Sequence, residues 1–300
     1  MKCCFHPEYQ AAVRSGFPMS KHTLLKDRLL ADGVISPGDL FEPEPIALED
    51  AQLVHDPGYL SKLQSGGLSV AEQRRIGLPW SEALWRRAQL TCGGTLLAAR
   101  HARLDGVAGN LAGGAHHAFP DHGEGFCLLN DVAIAIRKLC QENAVARAVI
   151  IDLDVHQGNG TAVIFANEPQ IFTFSMHAER NYPSVKMRST LDVPLREGTG
   201  DAEYLEALNT HLPMVLDRAG ADIAFYLAGV DVAQGDRFGK LALTEDGIRR
   251  RDRLVASAVR QRRTPLVLLL AGGYASTPAR TAELHAHVFR EALAQERNGL

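Results

Sequence analysis

Cysteine is scarce in this sequence and carries no pairing pattern. The five residues, Cys3, Cys4, Cys92, Cys127 and Cys140, are odd in number and form no C-x-x-C pair. That excludes a disulfide framework and a cysteine zinc site, and it points to reduced thiols. Long apolar runs are also missing: none approaches the roughly 18 residues needed to span a bilayer. The amino-terminal MKCCFHPEYQ has no long apolar stretch of a secretory signal, so the expected location is the cytoplasm. Excess positive charge is absent too. A formal charge of -3 leaves no basic footprint for nucleic acid, so neither nucleic acid nor a membrane is an expected partner. Repeats, low-complexity tracts and Ser/Pro-rich linkers are lacking, and the stretch 36–47, SPGDLFEPEPIA, reads as a surface loop. With 46% hydrophobic residues, the chain has enough apolar material to bury one large sheet, so residues 1–300 read as a single domain.

What is present is an alternation of short apolar runs with longer amphipathic ones. Strands are expected over Val107 to Leu111, Ala148 to Leu153, Gln170 to Met176, Asp222 to Ala228 and Pro265 to Leu270. Helices are expected between them, over Ser81 to Leu104, Leu129 to Asn143, Asp201 to Ala219 and Thr244 to Arg260. Asp201 and Thr244 are residue types that cap helix starts. Strand, helix and strand in repeated order predict an α/β protein with a parallel sheet and helices on both faces.

Such a sheet binds ligands beyond the carboxyl ends of its strands, and there this sequence concentrates its polar residues. In AVIIDLDVHQGNG, Asp152, Asp154 and His156 are spaced two apart, so they start on one face of the strand. Ionisable groups at the end of a buried strand are costly unless they are paired or bind a cation. Carboxylate and imidazole together suit zinc, and also manganese or iron. The plainer alternative has both aspartates capping the turn and His156 in solvent. The other strand ends deliver His116 and His117 after GNLAGGA, Asp231 after IAFYLAGV, and Tyr274 after two glycines. Asp154, His156 and Asp231 would give a metal three protein ligands and leave room for water and substrate. A histidine pair can shuttle a proton, and a tyrosine hydroxyl can bond to a growing oxyanion. Together these parts suit hydrolysis of an amide.

The blocks FPMSKH, RIGLPWS, GGAHHAF, GEGFCLLND, DLDVHQGNG, GVDVAQGDRFG and AGGY resemble, in this order, the histone deacetylase family of zinc hydrolases. RIGLPWS, HQGNG and GDRFG are most similar to its class IV branch and to bacterial histone deacetylase-like amidohydrolases. The resemblance implies the arginase-deacetylase-like α/β fold, with a mostly parallel central sheet. It also implies one Zn2+ per chain on Asp154, His156 and Asp231, with His117 as general acid/base, His116 as its electrostatic partner and Tyr274 as oxyanion donor. Asp152 would support His116 and, with Ser175, form part of a K+ or Na+ site near the zinc. Gly125, Phe126, Tyr182 and Phe238 would wall the substrate tunnel. Where many members place an Asp behind the second histidine, this sequence has Asn159. An amide accepts a hydrogen bond but brings no charge to stabilise imidazolium. Asn159→Asp is therefore expected to move the pH–rate profile to higher pH on its basic limb.

The implied substrate is an acylated lysine in a peptide or protein, with acetyl or a longer acyl chain. A small acyl amide such as an acetylpolyamine is the alternative. Phe238 ranks it lower, because polyamine-selective relatives are acidic at the homologous position and an aromatic ring offers nothing to a distal ammonium. Two readings of other kinds remain: an inactive module that binds acyl-lysine, and a di-metal ureohydrolase of the arginase type, which needs further carboxylates. Cys127, beside the implied tunnel, reads as a buried small side chain rather than a redox-sensitive thiol.

Overall fold

A computed structural model describes residues 1–11 and 17–297. Its strands are β1 (Lys2–Cys4), β2 (Leu40–Phe41), β3 (Val107–Asn110), β4 (Ala148–Asp152), β5 (Ile171–Ala178), β6 (Leu191–Leu195), β7 (Ile223–Leu227) and β8 (Leu266–Leu269). They form one sheet in the order β2-β1-β3-β8-β7-β4-β5-β6. Every pairing is parallel, so all eight carboxyl ends lie along one edge. The five strands expected from the apolar runs, β3, β8, β7, β4 and β5, are neighbours in the middle of that sheet.

These central strands are buried on both sides, as their unbroken apolar runs require. Successive side chains of a strand point to opposite faces, and β4 and β7 divide accordingly. Val149, Ile151 and Leu153 join Ala224, Tyr226 and Ala228 in one core, while Ala148 and Ile150 join Ile223, Phe225 and Leu227 in the other. Helices cover both layers: α1 (Lys21–Ala31), α2 (Leu48–Ala51), α3 (Pro57–Ser65), α4 (Val70–Ile76), α5 (Glu82–Asp105), α6 (Asp131–Gln141), α7 (Asn159–Ile164), α8 (Asp201–Ala219), α9 (Glu245–Gln261) and α10 (Pro278–Arg297). The four predicted helices fall within two residues of α5, α6, α8 and α9.

Capping differs from expectation at one end. Thr244 does cap α9, accepting from Gly247 N at 3.1 Å. Asp201 instead lies inside α8, whose cap is Gly200, and its carboxylate accepts from Thr244 N (2.8 Å) and Thr244 Oγ1 (2.6 Å). It therefore ties one helix start to another. The stretch 36–47 is not wholly loop: Pro37–Asp39 forms a 3-10 turn, and Leu40–Phe41 pairs with β1 at the sheet edge. No helix among the described residues is long and apolar enough to cross a membrane.

Candidate active site

The chain leaves β4 at Asp152 and turns at once. Asp154 accepts from His156 N through Oδ1 (2.9 Å) and from Gly272 N, after β8, through Oδ2 (2.6 Å). Asp231, after β7, accepts from Val155 N through Oδ1 (3.0 Å). These backbone bonds aim both carboxylates at His156, whose Nδ1 lies 3.0 Å from Asp154 Oδ1 and 3.3 Å from Asp231 Oδ2. One ligand atom from each of the three residues falls within 4.8 Å of the others. Asp231 Oδ2 is buried, and apart from its ion pair with His156 it has no hydrogen-bond partner.

This donor set fits a divalent cation. Burial alone would push His156 down, but its bonds to Asp154 and Asp231 raise it to about 10. Burial, and then the charge of Asp154, raise Asp231 to about 6. Two desolvated carboxylates facing one ring nitrogen are stable together only around a positive charge. Space is kept for it by glycine. A Cβ at Gly272 would stand 1.9 Å from Asp231 Oδ2, and one at Gly229 would stand 2.7 Å from Asp154 Oδ2. Gly272→Ala is expected to crowd Asp231 Oδ2 and so to weaken the hold of these residues on a divalent cation roughly 10–100-fold, the range for disturbed ligand support, in a chelator competition titration.

The adjacent histidines differ in what stands behind them. His116 Nδ1 bonds to Asp152 Oδ2 at 2.7 Å, and burial notwithstanding, Asp152 and Asp154 raise it to about 9. His117 Nδ1 bonds to Asn159 Oδ1 at 2.7 Å. Burial pushes His117 well below its ordinary value, the charges of His116 and His156 push the same way, and the amide only partly opposes them. With ring centroids 4.1 Å apart, the two imidazoles thus have environments that push their pKa values in opposite directions. Ser175 sits opposite Asp152 in the β4–β5 register, its hydroxyl 2.9 Å from His177 Nδ1.

A cavity of about 360 Å³ joins His116, His117, Asp154, His156 and Tyr274 to Gly125, Phe126, Tyr182 and Phe238. Phe126 stands 6.2 Å from Phe238 and 6.0 Å from Tyr274, while Tyr182 meets the His117 ring edge-on at 4.9 Å. Gly125 has φ +53, and a Cβ there would lie 2.6 Å from the His117 ring. Withdrawal from water, and then Asp231 and Asp154, hold the Tyr274 phenol well above its usual range, so it stays a donor. Cys127 Sγ donates to Gly125 O at 3.4 Å, and burial pushes the thiol up to about 12, which leaves it inert.

The sequence matches the histone deacetylase domain over residues 16–291. The chain belongs to the histone deacetylase family. Histone deacetylase 2 of Arabidopsis thaliana is 32% identical over 294 residues, covering 94% of this chain and 75% of that protein. An uncharacterised protein of Picosynechococcus is 46% identical over 291 residues, covering 96% and 95%. The crystal structure of the HDA15 HD domain shares the fold, with a TM-score of 0.82 at 24% identity over 98% of this chain and 88% of that one. This family member is accordingly a hydrolase acting on amide bonds, built on the arginase-deacetylase-like fold.

Several residues of this histone deacetylase relative escape a motif reading. Asp236 accepts from Phe238 N (2.9 Å), Gly239 N (3.0 Å) and Tyr274 N (2.7 Å), so one carboxylate sets both rings. Asp131 accepts from Gly114 N (3.0 Å) and Ala115 N (2.7 Å), which fixes the loop before the histidines. Lys21 is buried, donates to Ala271 O at 3.1 Å and lies 5.8 Å from the Tyr274 ring centre. Glu124 contacts Asn159 and Tyr182. The blocks GDRFG, LLND, FPMSKH and GEGF contain all four, but spacing alone gives none a partner.

Proposed function

We propose that this protein hydrolyses the acyl amide of an acylated lysine with one zinc ion held by Asp154, His156 and Asp231. The observation that carries the proposal is the convergence of those three buried ligand atoms, with Asp154 and His156 lining an aromatic-walled cavity. When bound, zinc would lower the pKa of water to about 7 and polarise the acyl carbonyl. Neutral His117 takes the proton from the attacking water and returns it to the leaving amine. His116, kept charged by Asp152, contributes positive charge beside the reaction centre. Tyr274 donates its hydroxyl to the developing oxyanion. Asp152 and Ser175 would share a potassium or sodium ion.

Phe126 and Phe238 flank the methylene stem of the substrate. A chain of four methylenes prefers apolar walls, and Phe238 supplies no carboxylate for a second ammonium. This supports acyl-lysine over acetylpolyamine. The test is a turnover assay on lysine peptides carrying acyl chains of different length and on an acetylated polyamine, with zinc and after chelation. Zinc-dependent release from a peptide is expected; release from the polyamine alone would overturn the substrate assignment.

The pH effect of Asn159→Asp falls on the other limb from the one the sequence suggests. His117 works as a neutral base, so its protonation sets the acidic limb of kcat/KM. A carboxylate at position 159 favours imidazolium and raises that pKa. The acidic limb of Asn159→Asp is expected at higher pH than in the wild type. An acidic limb that stays in place would disprove the pairing of His117 with residue 159.

A further inference from the structure

We infer that Glu124 is a positioning residue, whose carboxylate fixes the orientation of the Asn159 amide and thereby the tautomer of His117, while it also anchors the tunnel wall at Tyr182. The inference rests on the proposed role of His117 as the base. Glu124 Oε1 accepts from Asn159 Nδ2 at 3.0 Å and from Tyr182 Oη at 2.6 Å. Its other oxygen, Oε2, faces His122 Nε2 at 3.7 Å.

An ionised carboxylate accepts hydrogen bonds and cannot donate them, so the amide edge facing Glu124 must be the NH2. The opposite edge, 2.7 Å from His117 Nδ1, must then be the carbonyl oxygen. A carbonyl oxygen only accepts, so Nδ1 carries the ring proton and the lone pair of the neutral imidazole is on Nε2. Without Glu124, the amide can turn over and present NH2 to the ring. Nδ1 then holds the lone pair, and Nε2 is no longer a base.

A carboxylate in place of Asn159 would give the same tautomer unaided, because it has no donor edge. The amide at 159 thus makes Glu124 necessary in this chain. The negative charge that Asn159 lacks stands one hydrogen bond further out, shared with the tunnel wall. The backbone at Glu124 does not depend on its carboxylate: Glu124 N donates to Cys127 O at 3.1 Å and Cys127 N to Glu124 O at 2.9 Å. Removal of the side chain should leave the loop in place.

The test is nitrogen-15 NMR of the histidine rings in wild type, Glu124→Ala and Glu124→Gln, with the His117 signals assigned by their loss in His117→Gln. Wild type should show one His117 tautomer, protonated at Nδ1. Glu124→Ala should show a mixture of both tautomers. Its kcat should fall roughly two- to tenfold, as the competent fraction falls, and its KM should rise as Tyr182 loosens. Glu124→Gln keeps an oxygen able to accept both bonds, so it should restore the single tautomer and most of the rate. Tyr182→Phe should raise KM and leave the tautomer unchanged. A single Nδ1–H tautomer in Glu124→Ala would overturn the inference, as would an equal loss in the Ala and Gln variants. Absence of turnover in wild type would refute the function proposed above, while the ring spectra would still report on Glu124.

Discussion

Tyr274→Phe is expected to bind zinc as tightly as the wild type and to lose about 10²–10³-fold in kcat, the usual cost of one oxyanion donor. The ring is held independently of its hydroxyl. Its backbone N–H is fixed by Asp236, and its faces and edges meet Phe238 at 4.8 Å, Phe17 at 5.9 Å and Phe126 at 6.0 Å. Phenylalanine preserves all of these contacts and removes only the donor. Because the lost bond strengthens in the transition state, kcat and kcat/KM should fall together, with little change in KM. Steady-state kinetics paired with a zinc titration provides the check. Full activity in the variant would remove Tyr274 from the mechanism.

Asp231→Asn should have the opposite signature, losing zinc together with all measurable turnover. Asn keeps an oxygen for the Val155 N–H, so the turn after β4 is preserved. What disappears is the charge on Oδ2, the atom that faces His156 Nδ1 at 3.3 Å. Loss of a direct ligand should weaken zinc by more than the roughly 10–100-fold that follows from loss of a supporting contact. The metal-free variant should be at least as stable as metal-free wild type, because a desolvated carboxylate next to Asp154 has been neutralised. Thermal unfolding separates the two effects. Ligand at about 100 times its Kd stabilises the folded state by about 2.7 kcal/mol, so wild-type Tm should rise with zinc and that of Asp231→Asn should not. A variant that unfolds at lower temperature without metal would make Asp231 a structural residue.

The sequence was legible where burial on both faces demands an unbroken apolar run. The five central strands are such runs, and once their order is parallel, their polar ends must share an edge. His116, His117, Asp154, His156, Asp231 and Tyr274 meet for that reason. The outer strands were illegible because they are exposed or very short. The edge β6 is LDVPL, partly exposed along most of its length and broken by a proline that an edge strand tolerates; β1 and β2 are only three and two residues long. The supporting contacts were hidden as well. Asp236 and Glu124 act through backbone and side-chain partners that only folding brings near. The equal spacing of Asp152, Asp154 and His156 suggested three similar groups, yet Asp152 bonds to His116 while Asp154 and His156 face Asp231.

The most direct measurement is acyl release from an acyl-lysine peptide by protein stripped with a chelator and then titrated with zinc. No turnover is expected in the stripped protein, with recovery that saturates at one zinc per chain. Turnover that survives removal of the metal, or restored zinc without release of any acyl group, would contradict the proposed function.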